Sequence, residues 1–180
     1  MASSGYLLDN NIISILVRPA DPIHAAVKAR FQKLGDAPVF LPVVAIAEIE
    51  AGMAKANTPD ETQRADVRRF FNEYPLHLAI DDNTVEPYAL IRARLWRDFA
   101  TPKTSGRGHK ERLPEELLAR DTGKSLGIDE RDLLIAATAA QYRLVLITND
   151  ANEGMRRIEE SAQRLELEGQ PVHLRVERWR

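Results

Sequence analysis

Short apolar segments alternate with longer amphipathic segments along this 180-residue chain, and this alternation limits its fold more than any other feature. The segments GYLL, VFLPV, LHLAI, LVLIT and VHLRVE have the length and composition of strands. The segments between them repeat apolar residues with helical spacing. Because a parallel pair of strands needs a long crossover connection, usually a helix, the pattern predicts an α/β fold. We expect a three-layer α/β/α sandwich with a mostly parallel central sheet.

Residues that start helices and form turns predict several boundaries. Asp21 is an expected N-cap, with Pro22 at the first helical position. The stretch at about 100–127 is basic, poor in apolar residues and rich in turn formers, with a short helix expected from Pro114 to Arg120. We predict one domain over residues 1–180 that carries this stretch as an extended basic loop or insertion.

The composition excludes several functional classes. The chain has no cysteine and four scattered histidines, which excludes disulfides, thiolate zinc sites and a cysteine nucleophile. A formal net charge of −2 argues against a protein that coats nucleic acid, although a local basic patch can still bind one. No apolar run reaches the roughly 18 residues of a membrane span, and no signal-like leader is present. We therefore expect a cytoplasmic protein without membrane contact.

Acidic side chains follow two of the strands and occupy two of the helices. Asp9 follows YLL and Asp150 closes LVLITND, while IDERDLL carries Asp129 and Asp132, and AIAEIEAG carries Glu48. Ligands of open parallel sheets bind beyond the carboxyl ends of the strands. Carboxylates that meet at such an edge need protons, basic partners or divalent cations. Mg2+ fits this oxygen-only donor set best, with Mn2+ as a second option.

Each of these acids also has an interpretation without function. Asp129 can cap its helix, with Asp132 favoured by the helix dipole near the third helical position. Asp150 can open the turn after its strand, and Asp9 can be an N-cap. The order and context of the sites together favour a shared metal centre over these separate explanations.

Four motifs in this order resemble those of a PIN-domain ribonuclease, in particular the VapC-type toxins of toxin–antitoxin pairs. LLDNNIIS, AIAEIEAG, DLLIAATAA and LVLITND are similar to the family's four motifs and together span residues 5–153. The resemblance implies a PIN-like fold with an acidic core of Asp9, Glu48, Asp132 and Asp150, of which the three aspartates would bind metal. It further implies four supporting or weaker positions, namely Asn11, Thr148, Asp129 and Glu153. Whether Asp150 or Glu153 is the fourth acid stays open.

The resemblance also implies an activity and partners. One or two Mg2+ ions would lower the pKa of a water molecule and stabilise the leaving oxygen in phosphodiester hydrolysis, which leaves 5′-phosphate and 3′-hydroxyl ends. The partners would be an RNA substrate, a cognate antitoxin protein and a second copy of the chain. The apolar stretches RLWRDF and RRFFNEY would supply part of the homodimer interface.

RNA binding needs cations, and the sequence offers two groups of them. One lies in IRARLWRDF and the other in KTSGRGHKER, and together they contribute Arg92, Arg97, Lys103, Arg107, Lys110 and Arg112. An ordinary solvated loop explains the second group equally well. Two other functions stay open: a non-catalytic PIN-like module that binds RNA or protein, and a PIN nuclease that acts in RNA maturation or on structured DNA outside a toxin pair.

Overall fold

The computed structural model describes residues 5–55, 60–100 and 113–180. The strands are β1 (Tyr6–Leu8), β2 (Val39–Pro42), β3 (His77–Leu78), β4 (Val145–Thr148) and β5 (Arg175–Arg178). The α-helices are α1 (Asn10–Leu16), α2 (His24–Gln32), α3 (Val43–Ala54), α4 (Glu61–Glu73), α5 (Val85–Phe99), α6 (Glu130–Tyr142) and α7 (Glu153–Leu167). None of the helices in these ranges is both long and apolar enough to cross a membrane.

The strands form one five-stranded sheet in the order β3-β2-β1-β4-β5, and every described pair is parallel. In the central strand, Leu7 pairs with Phe40 on one side and with Leu146 on the other. Helices α5, α6 and α7 pack against one another, as α1 does against α2 and α3. The predicted three-layer α/β/α sandwich is confirmed, with a sheet that is wholly parallel in its described strands.

The strand order places a crevice beside β1. The chain steps outward from β1 through β2 to β3, and then returns to place β4 on the other side of β1. Connections therefore leave the carboxyl ends of β1 and β4 in opposite directions, which opens the sheet edge where α/β proteins bind ligands. Helix α3 contacts both α1 and α6, so three helices border this edge.

The helix predicted to begin at Pro22 begins later. Helix α2 starts at His24, with Ile23 as its N-cap. Asp21 does not cap this helix, because its carboxylate accepts the backbone N–H of Ile23 at 3.0 Å and its carbonyl accepts that of His24. Asp21 thus forms a local side-chain turn, the common alternative use of an Asp near a helix start.

The described part of the predicted loop contributes side chains to the core. The expected helix from Pro114 to Arg120 is wrong: a single 3-10 turn spans Pro114–Glu116, and the chain then runs extended. Ala119 forms an antiparallel bridge with Ala100, and the side chains of Leu117 and Leu126 are buried. Residues 101–112 lie outside the described ranges.

A close contact between two backbones fixes the start of α7. A Cβ atom on Gly154 would stand 1.9 Å from the carbonyl oxygen of Gly127. The helix can therefore approach the segment before α6 because residue 154 has no side chain. This contact sets the start of α7 just after Asp150, beside the open edge of the sheet.

The aromatic stretches expected at a dimer interface pack within the chain. Phe71 is buried, and Phe70 stacks on Tyr74 with ring centroids 4.8 Å apart. Trp96 and Phe99 are half-buried against the same core. These side chains have an intramolecular packing role, so the stretches offer less apolar surface to a partner than their sequence indicates.

Candidate active site

Asp9 lies at the end of β1 with a buried carboxylate that is held on both oxygens. Its side chain is 3% exposed, and its backbone N–H donates to the carbonyl of Ile147 in β4 at 2.9 Å. One carboxylate oxygen accepts the backbone N–H of Asn10 at 2.7 Å, so Asp9 is the N-cap of α1. The other accepts the amide of Asn11 at 2.8 Å and the hydroxyl of Thr148 at 2.7 Å. Burial raises the pKa of Asp9 above its ordinary value despite these hydrogen bonds.

Asn11 and Thr148 join the ends of β1 and β4. The hydroxyl of Thr148 accepts the Asn11 amide at 3.1 Å and the backbone N–H of Asp150 at 2.9 Å. The side-chain carbonyl of Asn11 accepts the backbone N–H of Asn149 at 2.8 Å. Together with its donation to Asp9, the Thr148 hydroxyl donates one hydrogen bond and accepts two, which is the most that a hydroxyl can form. The carboxyl ends of the two strands are therefore fixed relative to one another.

Glu48 is held between a neutral donor and a cationic donor. One oxygen accepts the side-chain amide of Asn10 at 3.2 Å, and the other forms an ion pair with Arg131 at the start of α6. Burial raises the pKa of Glu48, and Arg131 opposes that shift. The side chain reaches from α3 toward the edge of the sheet, which is how a carboxylate in an otherwise apolar helix finds partners.

Asp132 stands among the other acids on the first turn of α6. Burial raises its pKa to about 7, and repulsion from Asp9, Asp129, Asp150 and Glu48 contributes to the same shift. Mutual repulsion of this kind requires that the carboxylates lie within electrostatic range of one another. The structure thus brings together the four acids of the predicted core, although they come from four different elements or element ends.

The acids surround a common region without converging on one point. Among the described residues, no group of three or more His, Cys, Asp or Glu side chains stands close enough to hold one metal ion directly. The electrostatic coupling of Asp132 acts over longer distances than coordination does, so the two observations are compatible. The donor set, made of hard carboxylate oxygens, suits a divalent cation such as Mg2+.

Asp129 and Asp150 have structural roles that the sequence also predicts. Asp129 caps α6 by accepting the backbone N–H of Arg131 at 2.8 Å, and it pairs with the Arg131 guanidinium, which lowers its pKa. Asp150 forms a turn by accepting the backbone N–H of Asn152 at 2.6 Å.

The surroundings of Glu153 differ from those of Asp129 and Asp150. It pairs with Arg156 at 2.7 Å, is more than half exposed, and lines a groove of about 620 Å3. That groove runs between α5, α7 and the segment 119–126, and the four core acids do not line it. Of the two candidates for the fourth acid, the geometry favours Asp150, because its backbone N–H donates to the Thr148 hydroxyl that holds Asp9, whereas Glu153 pairs with Arg156 of its own helix.

The predicted RNA-binding cations fall into three situations. Arg92 donates to Tyr88 and lies 3.9 Å from Glu130, so it belongs to a side-chain network between α5 and α6. Arg97 is exposed, and its carbonyl accepts a hydrogen bond from Arg120 at 2.9 Å. The other four lie outside the described residues, namely Lys103, Arg107, Lys110 and Arg112.

Two residues of the site were not singled out from the sequence. Asn10 links Asp9 to Glu48, and Arg131 links Glu48 to Asp129. The signal for Arg131 is its place in IDERD, two positions after Asp129 and next to Asp132, where a basic residue stands among acids at a predicted helix start. The partner on α3 could not be read from that spacing, because it depends on tertiary packing.

Carboxylates at the switch point of a parallel α/β sheet lie where this class of folds binds its ligands. The chain belongs to the PIN domain family, whose model matches residues 6–161. The resemblance to a VapC-type PIN domain predicted from the four motifs is confirmed.

Individual relatives agree with this assignment. The chain is 33% identical over 75 residues to Ribonuclease VapC14 of Mycobacterium tuberculosis (strain CDC 1551 / Oshkosh), which is 42% of this chain and 71% of that protein. Its fold is similar to that in a crystal structure of VapBC2 from Rickettsia felis bound to a promoter DNA fragment, with a TM-score of 0.60, 17% identity, and coverage of 97% and 98% of the two chains. It is also similar to a chain of FitAcB from Neisseria gonorrhoeae, with a TM-score of 0.59, 21% identity, and coverage of 86% and 93%.

Proposed function

We propose that this chain is a Mg2+-dependent endoribonuclease that hydrolyses RNA phosphodiester bonds as the toxin of a type II toxin–antitoxin pair. The observation that carries the proposal is the set of carboxylates at the switch point of the sheet, where Thr148 and Asn11 join Asp9 to the end of β4 and Asn10 joins Asp9 to Glu48. The raised pKa of Asp132, caused by burial and by repulsion from Asp9 and its neighbours, agrees with this arrangement. The family assignment and the similarity to a protein named as a ribonuclease support the same reaction class.

The residues present suit a divalent cation. Asp9, Asp132 and Asp150 would hold it, with Mn2+ as an alternative to Mg2+, and Glu48 would complete the acidic site. When bound, the cation would supply charge stabilisation at the scissile phosphate and a more acidic water molecule. It would also relieve the repulsion that raises the pKa of Asp132.

The polar neighbours of the acids would keep the site in position. The hydroxyl of Thr148 and the amide of Asn11 fix one oxygen of Asp9, while its other oxygen accepts the backbone N–H of Asn10. Asn10 orients Glu48 from the opposite side. A carboxylate with fixed orientation reaches a metal or a water molecule without reorganising first, which favours the reaction.

The partners that we propose are an RNA substrate, a cognate antitoxin protein and a second copy of this chain. Solved structures with this fold include VapBC and FitAcB assemblies, which supports an antitoxin partner. Because we propose an RNA substrate, we also propose that the protein acts in the cytoplasm. Among the proposed RNA contacts, Arg97 is exposed, whereas Arg92 would first have to leave Tyr88.

The test is cleavage of total bacterial RNA by the purified chain in Mg2+, in EDTA, and as the Asp9→Asn variant. We expect discrete cuts in Mg2+ that EDTA abolishes. Asp9→Asn should lower the cleavage rate at least about 100-fold, because it removes a charge that the cation needs. Asp36→Asn is the matched control, since Asp36 is exposed in the turn after α2, and it should cut at the wild-type rate.

Equal cutting by the wild-type and Asp9→Asn proteins would refute the proposal and indicate a contaminating nuclease. A wild-type protein that binds neither Mg2+ nor RNA would also refute it. Metal binding with RNA binding but without cleavage of any RNA would favour the non-catalytic module.

A further inference from the structure

The guanidinium of Arg131 carries a positive charge at the border of the acidic crevice. Its guanidinium forms ion pairs with Glu48 from α3 and with Asp129 at the start of its own helix. It also interacts electrostatically with Asp132, one of the proposed metal-binding acids. The side chain remains 55% exposed, so it borders the crevice and is not part of the core.

These contacts use the geometry of arginine. The Nε and one terminal nitrogen bind Asp129, which leaves the other terminal nitrogen for Glu48. A planar guanidinium can hold two carboxylates at once, which a lysine ammonium does less well. Arg131 therefore bridges two acids that would otherwise repel each other across the crevice.

The same charge opposes a second cation. A divalent ion held by Asp9, Asp132 and Asp150 would add a second positive charge to the acidic site that already contains the guanidinium, and like charges repel each other more strongly in a partly buried site than in water. The ion would also attract Glu48, the carboxylate that Arg131 holds. Arg131 and the ion thus compete for the same negative charge.

We propose that Arg131 is a built-in counter-ion of the acidic cluster, which stabilises the cluster before a cation binds and weakens the binding of that cation. This inference rests on the proposed function, because it assumes that the cluster takes up a divalent ion. It assigns a role to a residue that is not one of the metal-binding acids. Arg131 is a positioning residue in this account, since it acts through Glu48 and Asp129.

The test is Mn2+ binding to the 180-residue chain by isothermal titration calorimetry, without RNA, together with urea unfolding in EDTA. Arg131→Gln should bind Mn2+ about tenfold more tightly, because it removes one nearby positive charge. It should also unfold at a lower urea concentration in EDTA, because the acids lose their counter-ion. Arg131→Lys keeps the charge and should bind Mn2+ with nearly wild-type affinity.

Arg69→Gln is the matched control. Arg69 forms a surface ion pair with Asp66 at 2.9 Å on α4, so its removal changes the net charge equally without touching the crevice. Its Mn2+ affinity should equal that of the wild type. Unchanged or weaker binding by Arg131→Gln would overturn the inference, and so would an equal gain in affinity for Arg69→Gln.

The failure of this inference differs from the failure of the proposed function. If Mn2+ binds to the wild type and is lost in Asp132→Asn, but Arg131→Gln binds no more tightly, only the counter-ion role is refuted. If the wild type binds no Mn2+, the counter-ion role is refuted, and the proposed function fails with it only if the wild type also cuts no RNA in Mg2+.

Discussion

Thr148, at the end of β4, connects the acidic crevice to the sheet. Its hydroxyl donates to Asp9 and accepts from Asn11 and from the backbone of Asp150, and the side chain is fully buried. Buried hydrogen bonds contribute little net stability when they are formed, but losing one partner leaves the other unsatisfied. The site is therefore held by a residue that is neither acidic nor able to bind a metal strongly.

Thr148→Val should destabilise the fold by about 1–3 kcal/mol, because it leaves the donors of Asn11 and Asp150 without their acceptor. Thr148→Ser is the control, since it keeps the hydroxyl and loses one methyl group, at about 1 kcal/mol. Urea unfolding of both variants measures the difference. Equal stability of the two variants, or a Val variant as stable as the wild type, would contradict this account.

At the scale of elements, α7 owes its position to the absence of a side chain at Gly154. Gly154→Ala would place a methyl group 1.9 Å from the carbonyl oxygen of Gly127, and we expect a loss of about 3 kcal/mol. Gly52→Ala, inside α3, meets no atom within 4 Å and should gain roughly 0.5–1 kcal/mol from helix propensity. Thermal unfolding compares the two, and a similar change in both variants would contradict the close-contact argument.

Helices α5 and α7 are joined by a charged link around Asp98. Asp98 accepts hydrogen bonds from Arg94 at 2.7 Å and from Arg164 at 2.8 Å. Burial raises the pKa of Asp98, but the two guanidinium groups outweigh that effect, and the net pKa lies below its ordinary value. A carboxyl with a lowered pKa stabilises the folded state while it is ionised.

Asp98→Asn should therefore destabilise the fold at neutral pH, on the order of 1 kcal/mol. Because the folded pKa lies below the unfolded one, the stability from Asp98 is present above the unfolded pKa of about 4 and is lost as pH falls through the folded pKa. The gap between wild type and variant should close over that acidic range. Urea unfolding from pH 7 downward measures it, and a gap that persists or widens in acid would contradict the assignment.

At the scale of the whole molecule, the periodicity of the sequence predicts most of the architecture. The alternation of strands and helices fixes the class because parallel strands require crossovers. The helix at Asp21 was misplaced because an Asp before Pro22 fits a local turn as well as a cap. The expected helix at Pro114 was wrong because burial of Leu117 and Leu126 overrides weak local propensity.

Part of the candidate site could also be predicted from the sequence. Asp9 and Asp150 could be placed at one edge, because they follow strands that lie side by side in the sheet. The link from Asn10 to Glu48 and that from Arg131 to Glu48 could not, because they depend on how α3 packs against α1 and α6. Pairwise side-chain contacts of this kind leave no periodic signal in a single sequence.

We propose that the acidic crevice hydrolyses RNA with water and a divalent cation. The most direct measurement is the chemistry of the fragment ends after cleavage of RNA by the purified chain in Mg2+ and in EDTA, determined by selective ligation and sequencing. We expect 5′-phosphate and 3′-hydroxyl ends that are absent in EDTA, because water attacks the phosphorus and the 3′ oxygen leaves with a proton. Fragments with 2′,3′-cyclic phosphate and 5′-hydroxyl ends that persist in EDTA would contradict it.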